Sequence, residues 1–356
     1  MPPHHADSQP TRIIDLFAGA GGWDLGAHHI GLKDIIGIEW NEAACDTRVA
    51  AGDGHRHDIW PPAPAGDRRG RVVTDASKLK RWERLSPSSL DSWEKCPRSW
   101  KAERIDGEPS PPTFATEAGT FGHLILEHLM ALDPGERTIE AAKATAAALW
   151  PEWTAEDAYR SLNLDAKGEL AFKHAVWKGV AGYFGIEDPT AVHLGDGSAR
   201  ELALTAELGG AIVVGHVDRL DKAPLGDVIV DYKFGKAPQR RYQEPKLRQI
   251  RLYAAMLVAN GYEMARRGSL MYVSEGVRVT ELLTEAKLDA AVSDVATAWS
   301  EIGVAIRTDS FNPKPGPLCG WCPQVTSCHE GQREVRSRAA RGRLKDSAPA
   351  RRWLRL

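Results

Sequence analysis

The order of helical and strand patterns predicts an α+β fold for most of this chain. Apolar residues recur at helical spacing over 116–131 and again from about 138 to 185. Runs rich in β-forming residues then predict three consecutive strands, at 202–208, 211–220 and 228–234. A helix, a pair of strands and a long helix follow, over 243–260, 269–283 and 284–306. Because strands and helices come in blocks, we expect one sheet with helices packed against it.

Composition indicates a globular protein with a real core. The chain has 356 residues, of which 42% are hydrophobic and 26% are charged. No run approaches the roughly 18 consecutive apolar residues of a membrane helix, and the N-terminus lacks a signal-peptide pattern. We therefore expect a cytoplasmic protein without a membrane partner. The net charge of -2 neither favours nor excludes nucleic acid.

Changes in composition predict four parts. They are a short α/β fragment, a proline- and glycine-rich linker, the α+β domain and a basic tail, at 1–60, 61–79, 80–332 and 333–356. The tail holds nine arginines and lysines against two acids. That charge suits contact with phosphates, and it equally fits a solvated, disordered segment.

Two strand ends carry the residues that suggest chemistry. One predicted strand ends in Asp218, and the next contains Asp231 and Lys233. Residues at i and i+2 of a strand share a face, so Asp231 and Lys233 point the same way. Two carboxylates can hold Mg²⁺ or Mn²⁺ against a phosphodiester, and a lysine can orient the attacking water or offset charge on the phosphate. A surface ion pair is the alternative for an isolated Asp-x-Lys.

Neighbouring helices add three polar side chains. Gln249 and Tyr253 are spaced i, i+4 and share a helix face, and His123 lies early in another helix. A core histidine and a core aromatic residue are the alternative interpretations of His123 and Tyr253.

In this order, the motifs resemble the RecB-like branch of the PD-(D/E)XK nuclease superfamily, which includes the RecB nuclease domain and CRISPR-associated RecB-like exonucleases. That branch has a helical histidine, a Gly-x-x-Asp strand end, an (Asp/Glu)-x-Lys strand and a Gln-x-x-x-Tyr helix. The resemblance implies a restriction-endonuclease-like core, a central mixed sheet flanked by helices. It implies metal-dependent exonuclease action in recombination, repair or phage DNA processing, on single-stranded DNA or free ends, with a possible helicase or recombinase partner.

The same resemblance assigns roles to residues of this chain. It implies metal ligation by His123, Asp218, Asp231 and the carbonyl of Tyr232. It makes Lys233 the catalytic lysine. Gln249 and Tyr253 would shape the site and contact DNA.

Four cysteines suggest a second metal site. Cys319, Cys322 and Cys328 follow a C-x2-C-x5-C pattern, and Cys96 lies far upstream. Thiols at such spacing without a disulfide context point to a metal site, and zinc is the simplest metal for four thiolate ligands. The split of one cysteine before the core and three after it resembles the iron–sulfur staple of RecB-like nucleases. It implies a structural [4Fe-4S] cluster, with zinc or free buried cysteines as alternatives.

The N-terminal fragment suggests a truncated Rossmann-like unit. A glycine-rich loop at 15–22 follows a strand, and Glu39 ends the next strand. With Asp58, this resembles the S-adenosylmethionine-binding start of cytosine-5 DNA methyltransferases. The family's catalytic Pro-Cys is missing, because the sequence runs Trp60-Pro61-Pro62, and Cys45 lies in the wrong place. We expect a fused remnant, with a retained S-adenosylmethionine-binding or regulatory module as the alternative.

Two other functions compete with the nuclease. A DNA cytosine methyltransferase-related protein is disfavoured by the missing Pro-Cys. A non-catalytic DNA-binding protein on a nuclease fold is disfavoured by the intact set of Asp218, Asp231 and Lys233.

Overall fold

The chain divides into two compact units, residues 1–67 and 68–356. The structure, a computed structural model, describes residues 76–108, 110–194, 200–239 and 243–356, and three short strands before them. In the first unit, β1 (Ile13–Leu16) and β2 (Ile35–Ile38) pair in parallel. The expected glycine loop, Glu39, Cys45 and Asp58 lie outside the described residues.

The second unit is built on a mixed sheet of six strands in sequential order. The strands are β3 (Arg71–Val72), β4 (Arg200–Leu208), β5 (Ala211–Asp221), β6 (Val228–Lys233), β7 (Arg267–Tyr272) and β8 (Val277–Leu282). Among the described strands of this sheet, β6 and β7 are the one parallel pair, which requires a crossover connection between them. The predicted mixed sheet is confirmed. The edge strand β3 falls within the segment 61–79 whose composition suggests a linker.

Helices cover both faces of this sheet. They are α1 (Pro87–Lys95), α2 (Pro97–Arg104), α3 (Phe114–Ala131), α4 (Ile139–Ala155), α5 (Asp157–Arg160), α6 (Ala166–Tyr183), α7 (Glu244–Ala259), α8 (Glu285–Thr308), α9 (His329–Ala340) and α10 (Ala350–Trp353). The helical pattern expected over 138–185 is broken into three helices. A cause is visible at Asp165, whose side chain accepts a hydrogen bond of 2.7 Å from Gly168 N and so starts α6 afresh. In the described part of the chain, no helix is long and apolar enough to cross a bilayer.

Strand β6 lies at the centre of the core. Its side chains alternate between two buried clusters, with Ile229 in the cluster that contains α7 and α8, and Val230 in the cluster that contains α3 and α6. Four of its six residues are buried. The strand that carries Asp231 is therefore held on both faces by apolar packing.

The basic segment 333–356, for which the sequence left phosphate contact and a disordered tail open, contains α10 and most of α9. A small third core joins the cysteine-rich loop to α9 and α10, through Val325, Val335, Leu344, Ala348 and Ala350. Alternating buried and exposed positions let the segment bury these side chains while its arginines remain at the surface. Charge alone could not reveal this pattern.

A fully buried arginine ties three elements together on one face of the sheet. Arg219 of β5 contacts Asp221 at 2.6 and 2.9 Å and Glu187 at 2.6 Å. It also donates to the hydroxyls of Tyr232 and Tyr183, at 2.7 and 3.1 Å. These partners satisfy a charge that would otherwise be costly to bury.

Replacing this arginine should strongly destabilise the fold. Arg219→Met would leave Asp221 without its cation and Glu187 with Arg278 alone, and we expect a loss of about 3 to 5 kcal/mol in the free energy of unfolding. Urea unfolding measures it. The matched control is Arg160→Met, because Arg160 is exposed and lies 3.8 Å from its partner Asp157. A change below about 1 kcal/mol in the Arg219 variant would contradict the prediction.

Candidate active site

Two carboxylates meet where β5 and β6 separate. The ladder pairs Arg219 with Val230, and continuing that register places Asp218 opposite Asp231. Directly opposed residues of an antiparallel pair share a face. The backbone N–H of Tyr232 donates to Asp218 Oδ2 at 2.7 Å, so the side chain of Asp218 takes over where the strand ladder ends.

Asp231 and Lys233 lie on one face of β6 and contact each other. Lys233 Nζ lies 2.6 Å from Asp231 Oδ2, and the Asp231 side chain is only 2% exposed. The contact lacks hydrogen-bond geometry, so Oδ2 has no hydrogen-bond partner among the described residues. A buried carboxylate oxygen in this state retains a lone pair for a cation.

Gln249 of α7 holds this pair in place. Its Nε2 donates to Asp231 Oδ1 at 2.9 Å, and its Oε1 accepts from Lys233 Nζ at 3.2 Å. Nε2 also lies 2.9 Å from the hydroxyl of Tyr253, one helical turn later. Tyr253 packs against Gly215 of β5, where an added Cβ would come within 2.8 Å of the ring. Tyr253, which lies on the predicted helix face, therefore contacts Gly215, the glycine of the Gly-x-x-Asp motif.

His123 reaches the site from α3 on the other side. Its Nδ1 lies 3.3 Å from Asp218 Oδ2. Burial lowers the pKa of His123, while the carboxylate of Asp231 acts in the opposite direction. A neutral imidazole near neutral pH is the form that binds metals.

The ring of Phe234 positions this histidine. It lies between Gly122 of α3 and Gly179 of α6, and a methyl group at either glycine would overlap it. The ring centroids of His123 and Phe234 are 5.5 Å apart. Since Phe234 directly follows Lys233, the packing connects both sides of the site.

Glu201 is a site residue that the sequence analysis missed. Ligand atoms of His123, Glu201 and Asp218 all lie within 4.8 Å of one another. The two-residue turn at 209–210 sets the β4–β5 register, which places Glu201 opposite Asp218. Strand prediction began at Leu202 and so left Glu201 out. Counting back from the glycine pair would have found it.

The backbone and the electrostatics mark Glu201 as unusual. Its φ of 44° is in the left-handed region, where a non-glycine residue is strained. Burial, with the charges of Glu127 and Asp231, raises its pKa to about 7. Burial and the charge of Asp231 also raise the pKa of Asp218. Carboxylates crowded in this way favour a bound cation, so the residues present fit a divalent metal ion.

The predicted ligand set is therefore only partly assembled. His123 and Asp218 lie within chelating distance of each other, and Glu201 completes that group. Asp231 is instead engaged by Lys233 and Gln249. The backbone of Tyr232 lies next to Asp218, since its N–H donates a hydrogen bond to the Asp218 carboxylate.

Comparison with known families agrees with this geometry. A family model described as the PD-(D/E)XK nuclease superfamily matches residues 84–329. The chain belongs to the PD-(D/E)XK nuclease superfamily. A search of curated proteins found no match. Membership implies a nuclease that uses divalent metal ions such as Mg²⁺ and acts on DNA, and the matched range contains every residue of the site.

The four predicted cysteines come together at a distance in sequence. Cys96 precedes α2, Cys328 caps α9, and all four cysteines, including Cys319 and Cys322, line one cavity. The thiols are free. Backbone N–H groups approach two sulfurs, at 3.4 Å from Gly316 to Cys319 and 3.3 Å from Gly331 to Cys328.

Glycine substitutions test the Phe234 contact. Gly122→Ala places its methyl group against the ring, so we expect lower stability and at least tenfold weaker metal-dependent activity, because a misplacement of about 1 Å suffices for such losses. Gly119→Ala is the control on the same helix, since its Cβ would lie 3.7 Å from Phe234. Thermal unfolding and DNA cleavage measure both. Equal behaviour of the two variants would exclude the positioning role.

Glu201→Gln tests the crowded carboxylates through pH. A folded-state pKa of about 7, above the ordinary value of 4.5, means that ionised Glu201 weakens the metal-free fold as pH rises through this window. In EDTA at pH 8, the variant should be more stable than the wild type by on the order of 1 kcal/mol after allowance for solvent screening. At pH 5 the difference should shrink.

Added Mn²⁺ should reverse the order at pH 8, because the glutamine lacks the anionic ligand. Denaturant midpoints with and without metal provide the measurement. Identical shifts with metal for both proteins would remove Glu201 from the ligand set.

Proposed function

We propose that the protein is a Mg²⁺- or Mn²⁺-dependent DNA exonuclease of the RecB-like kind. The observation that carries this proposal is the group of His123, Glu201 and Asp218 beside the Asp231–Lys233 pair. The order of motifs, from the helical histidine to the Gln-x-x-x-Tyr helix, supports the RecB-like branch. Action in recombination, repair or phage DNA processing, with a helicase or recombinase partner, is part of the same proposal.

The chemistry is divided between the ion and the chain. When bound, a divalent cation supplies a Lewis acid and lowers the pKa of water. His123, Glu201, Asp218 and Asp231, with the carbonyl of Tyr232, are the groups that would hold it. Binding would reduce the charge that now holds Lys233 against Asp231. The Lys233 ammonium, still supported by Gln249, could then orient the water or contact the phosphate.

Conservative changes in the pair test the nuclease. Asp231→Asn and Lys233→Met should each lower cleavage by at least about 10²-fold, since each removes a group that acts in the transition state. Lys236→Met is the matched control, because Lys236 is exposed three residues further on. Single- and double-stranded DNA labelled at the 5′ or 3′ end gives rate, polarity and strand preference. Cleavage of circular DNA, which has no free end, would contradict the exonuclease assignment.

We also propose a [4Fe-4S] cluster on Cys96, Cys319, Cys322 and Cys328. Tetrahedral zinc, with Zn–S distances of about 2.3 Å, brings its sulfurs to about 3.8 Å of one another. Among the described residues, no three cysteine sulfurs lie within 4.8 Å of each other. The split of one cysteine before the core and three after it, which resembles the iron–sulfur staple of RecB-like nucleases, supports the cluster, and the backbone N–H groups at two sulfurs would stabilise thiolate ligands of either metal site.

Metal analysis of anaerobically purified protein tests the cluster. We expect about four iron atoms per chain and a broad absorption band in the visible spectrum. Cys96→Ser should lose iron and unfold earlier, because metal-binding energy becomes folding energy. Cys45→Ser is the control, since Cys45 is not one of the four. Stoichiometric zinc without iron would establish the zinc alternative.

For residues 1–60 we propose a fused methyltransferase-like remnant without methyltransferase activity. The missing Pro-Cys supports this, because covalent attack on cytosine needs that thiol. Binding of S-adenosylmethionine stays an alternative for the glycine loop. Methyl transfer to DNA by the purified chain would overturn the proposal.

A further inference from the structure

The folded C-terminal segment has an exposed basic surface. We call residues 317–356 the C-terminal cap. Its exposed basic residues form no ion pair with any carboxylate in the described part of the chain, and they are Arg333, Arg336, Arg341, Arg343, Lys345, Arg352 and Arg355. The other two arginines of α9 and α10 are paired, Arg338 with Glu334 at 2.6 Å and Arg351 with Asp346 at 3.4 Å.

This surface differs from the arginines near the active site. Near the active site, Arg248 is paired with Glu94 and Asp294, and Arg251 with Glu244 and Glu281. Those arginines hold helices together. The cap instead buries Val335, Leu344 and Ala348 and leaves its cations at fixed positions in solvent. Charges that are ordered but unpaired within the protein suit an external anion.

The cap also carries an exposed aromatic side chain. Trp321 is 39% exposed, and Leu318 on the same turn is 58% exposed. Their neighbour Gly320 packs on Leu344, where an added Cβ would lie 3.0 Å from the side chain. Leu344 lies between Arg343 and Lys345 in sequence, so the segment that carries Trp321 packs against the segment that carries these two cations. Cations next to an exposed aromatic ring are typical of sites for single-stranded nucleic acid.

Hydrogen bonds connect the cap to the active-site helix. Arg98 of α2 donates to the Ser327 carbonyl of the cap at 2.9 Å, and Lys314, three residues before the cap, donates to the Glu94 carbonyl at 3.2 Å. The Glu94 carboxylate in turn binds Arg248, which precedes Gln249. These contacts link the cap and the segment before it to α1 and α2, and through Glu94 to α7.

We propose that the basic surface of the C-terminal cap binds the phosphodiester backbone of the DNA substrate, with Trp321 stacking on an unpaired base. The proposal rests on the proposed nuclease function. Arginine predominates among the exposed cations, and its planar group pairs with phosphate in bidentate fashion. An acidic protein would also be attracted by the charge, but it would give Trp321 no stacking partner.

Binding without cleavage provides the test. Full-length protein in EDTA is titrated with labelled single-stranded and duplex DNA at several salt concentrations. The test variant combines Arg333→Gln, Arg336→Gln, Arg341→Gln and Arg343→Gln. The control combines Lys143→Gln, Arg160→Gln, Lys167→Gln and Lys178→Gln, which remove four exposed cations from α4, α5 and α6. Thermal midpoints establish that both variants are folded.

The test variant should bind DNA at least tenfold more weakly at about 0.1 M salt. The slope of log K against log salt should fall by about three, because each lost phosphate contact removes about 0.7 to 0.9. Trp321→Ala should weaken binding of single strands about tenfold and of duplexes much less. The control should match the wild type.

Three results would overturn the proposal. They are unchanged affinity and salt slope in the test variant, an equal loss in the control, and loss of binding to anionic phospholipid vesicles with DNA binding intact. Failure of the nuclease assignment is separate from these. A wild type that binds DNA through the cap but never cleaves it would contradict the catalytic proposal alone.

Discussion

Repulsion among buried carboxylates is the constraint around which the nuclease unit is arranged. Glu201, Asp218 and Asp231 come from three adjacent strands and share one end of the sheet. Asp218 and Asp231 could reduce this cost by turning toward water, and their hydrogen bonds oppose such a movement. The Tyr232 N–H holds Asp218, and Gln249 holds Asp231. The energy of this crowding is available to any divalent cation that enters.

The opposite face of β5 and β6 carries a second group of charged and polar side chains. Arg219 and Tyr232 are the immediate neighbours of Asp218 and Asp231, and they point away from the acids into a network with Glu187 and Asp221. The β5–β6 pair thus carries charged side chains on both faces. Ile229 and Val230, the two β6 residues that precede Asp231, are fully buried. Hydrogen bonds on both faces therefore hold this strand pair in place, in addition to the apolar packing of β6.

The parts that could be predicted from sequence depend on local spacing. Asp231 and Lys233 follow strand periodicity, and Gln249 and Tyr253 follow helix periodicity, so both pairs were predicted before the fold was known. The approach of His123 to Asp218 depends on Phe234 fitting between two distant glycines, which no local pattern encodes. The break in the helical pattern at Asp165 was hidden because apolar spacing continues through it. Folding of the basic tail was hidden for a different reason, since its core residues are few and widely separated.

The turn between β4 and β5 has a further consequence. Gly209 and Gly210 both have positive φ, and a side chain at Gly209 would meet the backbone of α8, with 2.7 Å to the Val292 carbonyl. This two-residue turn decides which residue of β4 faces Asp218. One inserted residue would shift the pairing by one position and turn Glu201 to the other face of the sheet. The turn touches no reacting atom, yet its length determines whether Glu201 reaches the metal-binding end of the sheet.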